Sequence, residues 1–130
     1  MITQRLCGLT PKMNRLIFMN LGRIVTVIID RPLGSCHPKH SDIQYPINYG
    51  YIDGEIAPDG EEQDAYVIGV DIPLHEFTGK IIAIIHRFDD IEDKWVVCPE
   101  HMIFTKNEIA DQVRFQEQFY RIEIITNDTD

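Results

Sequence analysis

The sequence predicts an α+β fold: a small, closed, mostly antiparallel β barrel with one C-terminal helix packed on it. Two observations support this prediction. Several short runs of β-branched and aliphatic residues are separated by turn-forming residues, and one amphipathic helical pattern follows them near the end of the 130 residues. Strands followed by a helix are typical of an α+β domain, and short strands joined by turns favour a barrel. The length fits a single domain.

The predicted strands are the apolar runs between breaker residues. The first run is rich in β-branched residues and ends before Pro32 and Gly34. The second is a short extended stretch that the turn pair Asp53-Gly54 breaks. The later runs are aliphatic and are flanked by acidic residues or glycine. The predicted strands span residues 23–30, 49–56, 65–70, 79–88 and 94–98.

The single predicted helix has a clear start signal. Thr105 and Glu108 fit a capping box, in which the threonine hydroxyl accepts from the first turn and the glutamate reaches back to the cap. The helix should run to about residue 122, with Ile109, Val113 and Tyr120 on one face.

Composition limits the class of partner. Lysine plus arginine number 12 and aspartate plus glutamate number 21, so the formal net charge is −9. A net acidic surface disfavours nucleic acid and anionic membranes, so we expect neither as a partner. Three widely spaced cysteines argue against a disulfide framework and predict reduced thiols in a cytoplasmic protein. We expect residues 1–20 to be an N-terminal extension, ordered or not, and residues 21–130 to be the folded domain.

The strongest chemical signal is an acidic loop just before a strand. Asp59, Glu61, Glu62 and Asp64 place four carboxylates within six residues. Bringing them together costs free energy unless cations neutralise them, and hard divalent cations such as magnesium or manganese suit carboxylate oxygens. A solvated acidic turn is the alternative interpretation. The spacing does not fit an EF-hand loop.

A second acidic loop lies between two apolar strands. It contains Asp89, Asp90, Glu92 and Asp93. If the strands are neighbours in a barrel, the two loops could meet at one rim and form a cage for two or more metal ions. An ordinary acidic hairpin turn is the alternative.

A tyrosine-rich segment precedes the first acidic loop. Residues 45–51 read Tyr-Pro-Ile-Asn-Tyr-Gly-Tyr. Tyrosine hydroxyls can donate to phosphate oxygens, but such a segment could equally be packed in the core.

Together these segments resemble family I soluble inorganic pyrophosphatases. The family carries a Tyr-Pro-x-Asn-Tyr-Gly segment a few residues before an Asp-Gly-Asp-Pro-x-Asp loop, and residues 45–52 and 59–64 have that order and spacing. The resemblance continues through residues 89–99 and covers about residues 23–123. It implies a pyrophosphatase-like domain on a small closed, OB-like barrel with a late helix, in agreement with the pattern of strands.

The resemblance also implies metal ligands. Asp59 and Asp64 match the first and last aspartates of the family's loop, which hold magnesium, and Glu61 stands at the middle aspartate, the proposed general base. Further ligands would come from the second loop. They are Asp93 or Glu92 at one position and Asp89 or Asp90 at the other.

The remaining implied roles concern substrate. Tyr49 matches the tyrosine beside the nucleophilic water, while Lys94, Tyr120 and Arg121 match groups that hold phosphate oxygens. The implied reaction is magnesium-dependent hydrolysis of pyrophosphate to two phosphates, in which two cations activate a shared water and a carboxylate takes its proton. The resemblance further implies a homo-oligomer.

Three departures from the family pattern stand out. Glu61 replaces an aspartate, Glu62 replaces a proline, and the hairpin that precedes the Tyr-Pro segment is shortened. Arg31 and Lys39 are the best candidates in this stretch for the phosphate contacts that the hairpin would have supplied. Two alternatives therefore stay open: a non-catalytic phosphate or nucleotide sensor, and a hydrolase of another phosphoanhydride.

Overall fold

A computed structural model describes residues 19–90 and 92–127. Of the expected N-terminal extension, residues 1–18 lie outside the described part. The strands are β1 (Ile24–Arg31), β2 (Asn48–Ile56), β3 (Glu62–Val67), β4 (Glu76–Arg87), β5 (Asp93–Cys98) and β6 (Ile122–Ile125), and helix α1 (Lys106–Glu117) lies between the last two.

The first five strands form a closed barrel. They pair in the order β1-β2-β3-β5-β4, and pairing of β4 with β1 closes the circle. The pairing of β3 with β5 is parallel, whereas the other described pairings of named strands are antiparallel. Strand β6 lies beside β4, outside the circle. The predicted small, mostly antiparallel barrel with a C-terminal helix is therefore confirmed.

Two apolar clusters hold the barrel and the helix together. One cluster includes Val27, Val67 and Ile81 from three barrel strands. The other includes Tyr66, Ile85 and Val113, so it joins the barrel wall to α1. Alternate residues of a strand face opposite sides of the sheet, so a strand that is buried on both faces is continuously apolar. Residues 81–85 of β4 form such a run.

Two glycines shape the path of β2. Gly54 lets the strand pass the Asp53-Gly54 pair without ending, and Gly50 lets it approach β1 closely. Gly54 has a φ of 81°, and the register with β3 shifts between Tyr51 and Ile56, so a bulge replaces the expected break. Gly50 lies so close to β1 that a Cβ atom there would be 1.8 Å from the carbonyl oxygen of Ile28.

Buried Asn48 fixes the loops on either side of the tyrosine segment. Its Oδ1 accepts from the backbone N–H groups of Leu33 (2.9 Å) and Leu74 (3.1 Å), and its Nδ2 donates to the carbonyl oxygen of Ile72 at 2.9 Å. These contacts account for the asparagine within the tyrosine segment.

The helix begins as predicted but ends earlier. Thr105 is the N-cap, and both hydrogen bonds of the capping box with Glu108 are present. The helix ends at Glu117 rather than near residue 122, so Tyr120 lies beyond it and not on its apolar face. Residues Ile122–Ile125 pair instead with β4 as β6, which buries Ile125. No helix among the described residues has the length and apolarity needed to cross a membrane.

Candidate active site

Most of the predicted site residues lie at one rim of the barrel, around two adjoining cavities. The larger has a volume of about 620 Å³ and the smaller about 190 Å³. Asp64 and Glu92 line both of them. The larger cavity also carries three cationic side chains, together with the carboxylates of Asp42 and Asp90. The cations are Arg31, Arg87 and Lys94. The rim therefore places a partly cationic cavity next to an acidic one.

Lys94 lies at the boundary between the two cavities. Its ammonium contacts Asp64 Oδ2 at 2.5 Å and Tyr49 Oη at 3.0 Å, and it also pairs with the carboxylate of Glu92. Burial disfavours its charge, yet the pKa of Lys94 is raised because Tyr49 and the two carboxylates surround the ammonium. Lys94 is therefore a fixed positive charge at neutral pH.

The β strands bring these groups together across long sequence separations. Asp64 pairs in register with Tyr51 on β2, and the residue after Asp64 pairs with Trp95 on β5. Lys94 immediately precedes Trp95, so its side chain faces the same side of the sheet as Asp64. The parallel pairing of β3 and β5 thus aligns the ends of both acidic loops.

Tyr49 supports Lys94 from the neighbouring strand. Burial raises the pKa of Tyr49, and the positive charge of Lys94 only partly opposes this effect. The hydroxyl is therefore neutral at physiological pH and accepts the hydrogen bond from the lysine. Tyr49 also packs edge-on against Tyr66, with ring centroids 5.0 Å apart. The packing considered for the tyrosine segment is present here, whereas donation from its hydroxyls to phosphate oxygens stays a prediction.

The first acidic loop forms a tight turn whose residues line the smaller cavity. Asp59 accepts a hydrogen bond from the backbone N–H of Glu61 at 3.0 Å, and Ala57 and Glu61 are bridged by a backbone hydrogen bond of 2.7 Å. Gln63 joins this loop to the second one, since its amide donates to the carbonyl oxygen of Asp93 at 2.8 Å. The carboxylates that line the cavity belong to Asp59, Glu61, Glu62, Asp64, Glu92 and Asp93.

These carboxylates are suitable donors for magnesium, but their oxygen atoms are not gathered around one point. Within residues 19–90 and 92–127, no three side chains of His, Cys, Asp or Glu lie close enough together to hold a metal ion. Asp64 and Glu92 are instead paired with Lys94. The donor chemistry fits a hard divalent cation, because six carboxylates surround one small cavity.

The first two aspartates of the second loop face elsewhere. Asp89 accepts a hydrogen bond from the backbone N–H of Arg121 at 2.8 Å, which ties the loop to the start of β6. Asp90 lines the larger cavity and lies 3.7 Å from Arg87 Nη1. Asp93 contacts His86 Nδ1 at 2.9 Å. Among the residues of this loop that were considered as ligands, Glu92 and Asp93 lie at the smaller cavity.

Two of the four additional substrate-binding candidates line the larger cavity. Arg31 does so while donating to Tyr45 Oη at 2.6 Å, and Tyr120 does so from beyond the helix. Lys39 is exposed and lies outside the cavity lining. Arg121 also lies outside it, with its guanidinium 5.4 Å from the ring centroid of Phe88.

Arg87 also lines the larger cavity, although no sequence motif indicated it as a site residue. Arg87 is 4% exposed, and its guanidinium lies 3.7 Å from the ring centroid of Tyr120. It is bonded to Glu117, which lies on the buried face of α1 with Ile109 and Val113. The spacing of these three helix residues was a usable signal, because a carboxylate in an apolar helical stripe requires a buried partner.

No sequence model of a protein family matches this chain, and neither does any curated protein. Solved structures do match. An inorganic pyrophosphatase from Ehrlichia chaffeensis matches with a TM-score of 0.63 and 18% identity, over 82% of this chain and 88% of its own. One from Neisseria gonorrhoeae gives a TM-score of 0.57 and 22% identity, over 75% of this chain and 71% of its own. One from Coxiella burnetii gives 0.57 and 14%, over 84% and 90%. This chain therefore has the fold of these inorganic pyrophosphatases.

Proposed function

We propose that this protein hydrolyses inorganic pyrophosphate to two phosphates with the help of magnesium. The observation that supports this most is the position of Lys94. It joins a carboxylate-lined cavity to one that contains two arginines, and the two cavities share Asp64 and Glu92. A site for cations thus adjoins a site for a polyanion.

The donor set determines which residues would hold the cation. We assign magnesium to Asp59, Asp64, Glu92 and Asp93, whose oxygens surround the smaller cavity. Asp89 and Asp90 are weaker candidates, since neither lines that cavity. When bound, magnesium would neutralise substrate charge and lower the pKa of the attacking water. A cation here would also offset repulsion between the carboxylates and the pyrophosphate anion.

The chain's own residues would then handle the proton and the phosphate oxygens. Water attacks one phosphorus atom, the bond to the bridging oxygen breaks, and Glu61 accepts the proton that the water loses. Lys94 and Arg31 stabilise the charge that develops on the departing phosphate. Tyr49 holds Lys94 in place, and Tyr120 is a further hydroxyl at the cavity. Lys39 and Arg121 rank behind these because they do not line it.

The direct test is phosphate release from pyrophosphate by the purified protein, with and without magnesium. Asp59→Asn and Asp64→Asn should each lower the rate at least about tenfold, since each removes one charged ligand oxygen. Asp53→Asn is the matched control, because Asp53 is an exposed carboxylate on β2 outside both cavities. Release that is independent of magnesium, or equal in all three variants, would contradict the assignment.

One observation favours hydrolysis of a larger phosphoanhydride as a second candidate function. The lining of the cavity of about 620 Å³ includes Ile43, Phe119 and Tyr120. An inorganic diphosphate is too small to fill a cavity of this volume. A panel that adds nucleoside diphosphates to pyrophosphate separates the two functions by their kcat/KM values. Magnesium-dependent binding of these compounds without phosphate release would instead indicate a sensor.

A further inference from the structure

A chain of hydrogen bonds crosses the boundary between the barrel and α1. The hydroxyl of Tyr45 donates to Gln116 Oε1 at 2.8 Å, and Gln116 Nε2 donates to the hydroxyl of Tyr66 at 2.8 Å. Tyr66 in turn donates to Glu117 Oε2 at 2.6 Å. Tyr45 and Tyr66 are buried, so water cannot easily replace the hydrogen-bond partners of their hydroxyl groups.

Each end of this chain is an arginine. Arg31 Nη1 donates to the hydroxyl of Tyr45 at 2.6 Å. At the other end, Arg87 donates to both carboxylate oxygens of Glu117, at 2.9 Å from Nε and 2.6 Å from Nη2. Both arginines line the same cavity of about 620 Å³.

The direction of every hydrogen bond in the chain is fixed by its ends. A guanidinium can only donate, so Tyr45 must accept from Arg31 and can then donate its own proton only to Gln116. At the far end the Glu117 carboxylate can only accept. Gln116 lies between the two tyrosines and accepts through Oε1 while it donates through Nε2, so its amide orientation connects the two ends.

The chemistry of the two ends suits a diphosphate. A guanidinium has five N–H donors in one plane. Arg87 can therefore bond to Glu117 through Nε and Nη2 and present Nη1, which lies 3.7 Å from Asp90 Oδ2, to a phosphate oxygen. Arg31 is further held near the rings of Tyr45 and Tyr49, at 5.7 and 5.4 Å from their centroids. Arg87 rests on the ring of Tyr120. Neither guanidinium can change position without disturbing the chain of hydrogen bonds.

We propose that Arg87 is a second phosphate-binding arginine of this site, and that Gln116 is the positioning residue that couples it to Arg31. The chain Arg31–Tyr45–Gln116–Tyr66–Glu117–Arg87 sets the separation of the two guanidiniums. This inference rests on the proposed function in one respect: it requires a diphosphate in the larger cavity. It adds a residue outside the motifs on which that function was inferred.

The test measures binding of imidodiphosphate, a diphosphate that resists hydrolysis, by calorimetry in the presence of magnesium. Arg31→Lys and Arg87→Lys keep the charge and lose the planar set of guanidinium donors, so each should weaken binding about tenfold. The double variant should bind at least about threefold more tightly than the product of the two single effects predicts, because the two positions are coupled.

Breaking the chain at its centre should remove that coupling. In a Gln116→Leu background, the two arginine substitutions should act independently, and the same should hold for Tyr66→Phe if the leucine variant does not fold. Gln118→Leu is the matched control, since Gln118 is exposed and, among the described contacts, its side chain bonds only to the carbonyl oxygen of Phe115. In that control the coupling between the arginines should persist.

The outcomes separate the inference from the proposed function. Binding by the native protein with independent effects of Arg31→Lys and Arg87→Lys would overturn the inference and leave the proposed function standing. An Arg87→Lys variant that folds and binds like the native protein would do the same. A native protein that binds neither imidodiphosphate nor pyrophosphate with magnesium would overturn both.

Discussion

Glu117 accepts two hydrogen bonds from Arg87, at 2.9 Å from Nε and 2.6 Å from Nη2, and the two residues are 2% and 4% exposed. The pair ties the end of β4 to the last turn of α1. Despite the loss of hydration, the pKa of Arg87 is raised, since the Glu117 carboxylate and the rings of Tyr66 and Tyr120 lie around it. The same carboxylate raises the pKa of Tyr66 further above the value that burial alone produces.

We expect Glu117→Gln to be strongly destabilising. It leaves the buried Arg87 guanidinium with only the longer, 3.7 Å contact to Asp90 as counter-charge, and removing one partner of a buried ion pair typically costs about 3–5 kcal/mol of unfolding free energy. Urea unfolding followed by circular dichroism measures this change. Asp111→Asn is the matched control on the same helix, because its pair with Arg114 is exposed and should contribute under about 1 kcal/mol. Equal effects of the two substitutions would show that the buried pair does not hold the helix.

The fold was predictable from local patterns. The capping box of Thr105 and Glu108 and the aliphatic run of β4 are signals within a few residues of one another. The boundaries were less accurate: β3 and β4 begin at Glu62 and Glu76, each three residues before the predicted start. Glu62 and Glu76 are polar and so do not extend the apolar run by which a strand is recognised in the sequence. They belong to the strands because neighbouring strands pair with them.

Strand β6 was not predicted, because it too depends on pairing with a neighbouring strand. The apolar residues at Ile122 and Ile124 fit the end of an amphipathic helix as well as a short strand. Only the free edge of β4 decides between the two, and a sequence pattern does not contain that edge.

The candidate site was predictable where it consists of contiguous motifs. Asp59 and Asp64 belong to one loop, so their chemistry is visible in the sequence. The contact between Arg87 and Glu117 spans 30 residues and depends on how α1 packs against the barrel. A pattern could show that Glu117 needs a buried partner, but not which residue supplies it.

Lys94→Met should change magnesium and diphosphate affinity in opposite directions. The ammonium is paired with Asp64 and Glu92, so its removal frees both carboxylates for a cation and should tighten magnesium binding about tenfold. The same change removes the charge that we propose to bind phosphate, and it should weaken imidodiphosphate binding by a similar factor. Calorimetric titration measures both affinities.

The sign of the Lys94 pKa shift determines the conditions of that experiment. A raised lysine pKa stabilises the fold at every pH below the ordinary value of 10.5, and this contribution is lost only as pH rises through the folded-state pKa. The titration can therefore be run at neutral pH without partial loss of the charge. Lys80→Met on β4 is the control, and weaker magnesium binding by Lys94→Met than by this control would contradict the pairing.

The pH dependence of stability should include a contribution from Glu123 on β6. Burial raises the pKa of Glu123, and the charges of His86 and Lys106 only partly oppose this effect. The folded state therefore holds the proton more tightly than the unfolded state, whose pKa is near 4.5. Ionisation of Glu123 destabilises the fold as pH rises from 4.5 through the folded-state pKa, and the destabilisation is complete above it.

Glu123→Gln removes this titration. The variant should unfold at higher urea concentration than the native protein at pH 7.5, and the difference should shrink as pH is lowered toward 4. His86 lies opposite Glu123 in the pairing of β4 with β6, so the variant also tests that register. A difference between variant and native protein that grows toward low pH would contradict the assigned direction.

Two substitutions at Glu61 distinguish a catalytic base from a carboxylate that only fills the acidic loop. Glu61 is exposed at the edge of the smaller cavity, and its backbone N–H is held by Asp59 at 3.0 Å. Glu61→Asp keeps a carboxylate on the same turn, so we expect its kcat for pyrophosphate to stay within about tenfold of the native value. Glu61→Gln keeps the shape and loses the base, and general base catalysis typically contributes about 100-fold or more. Equal kcat values for the two variants would show that Glu61 takes no proton, and magnesium affinity measured alongside would show whether either substitution acts through the metal site instead.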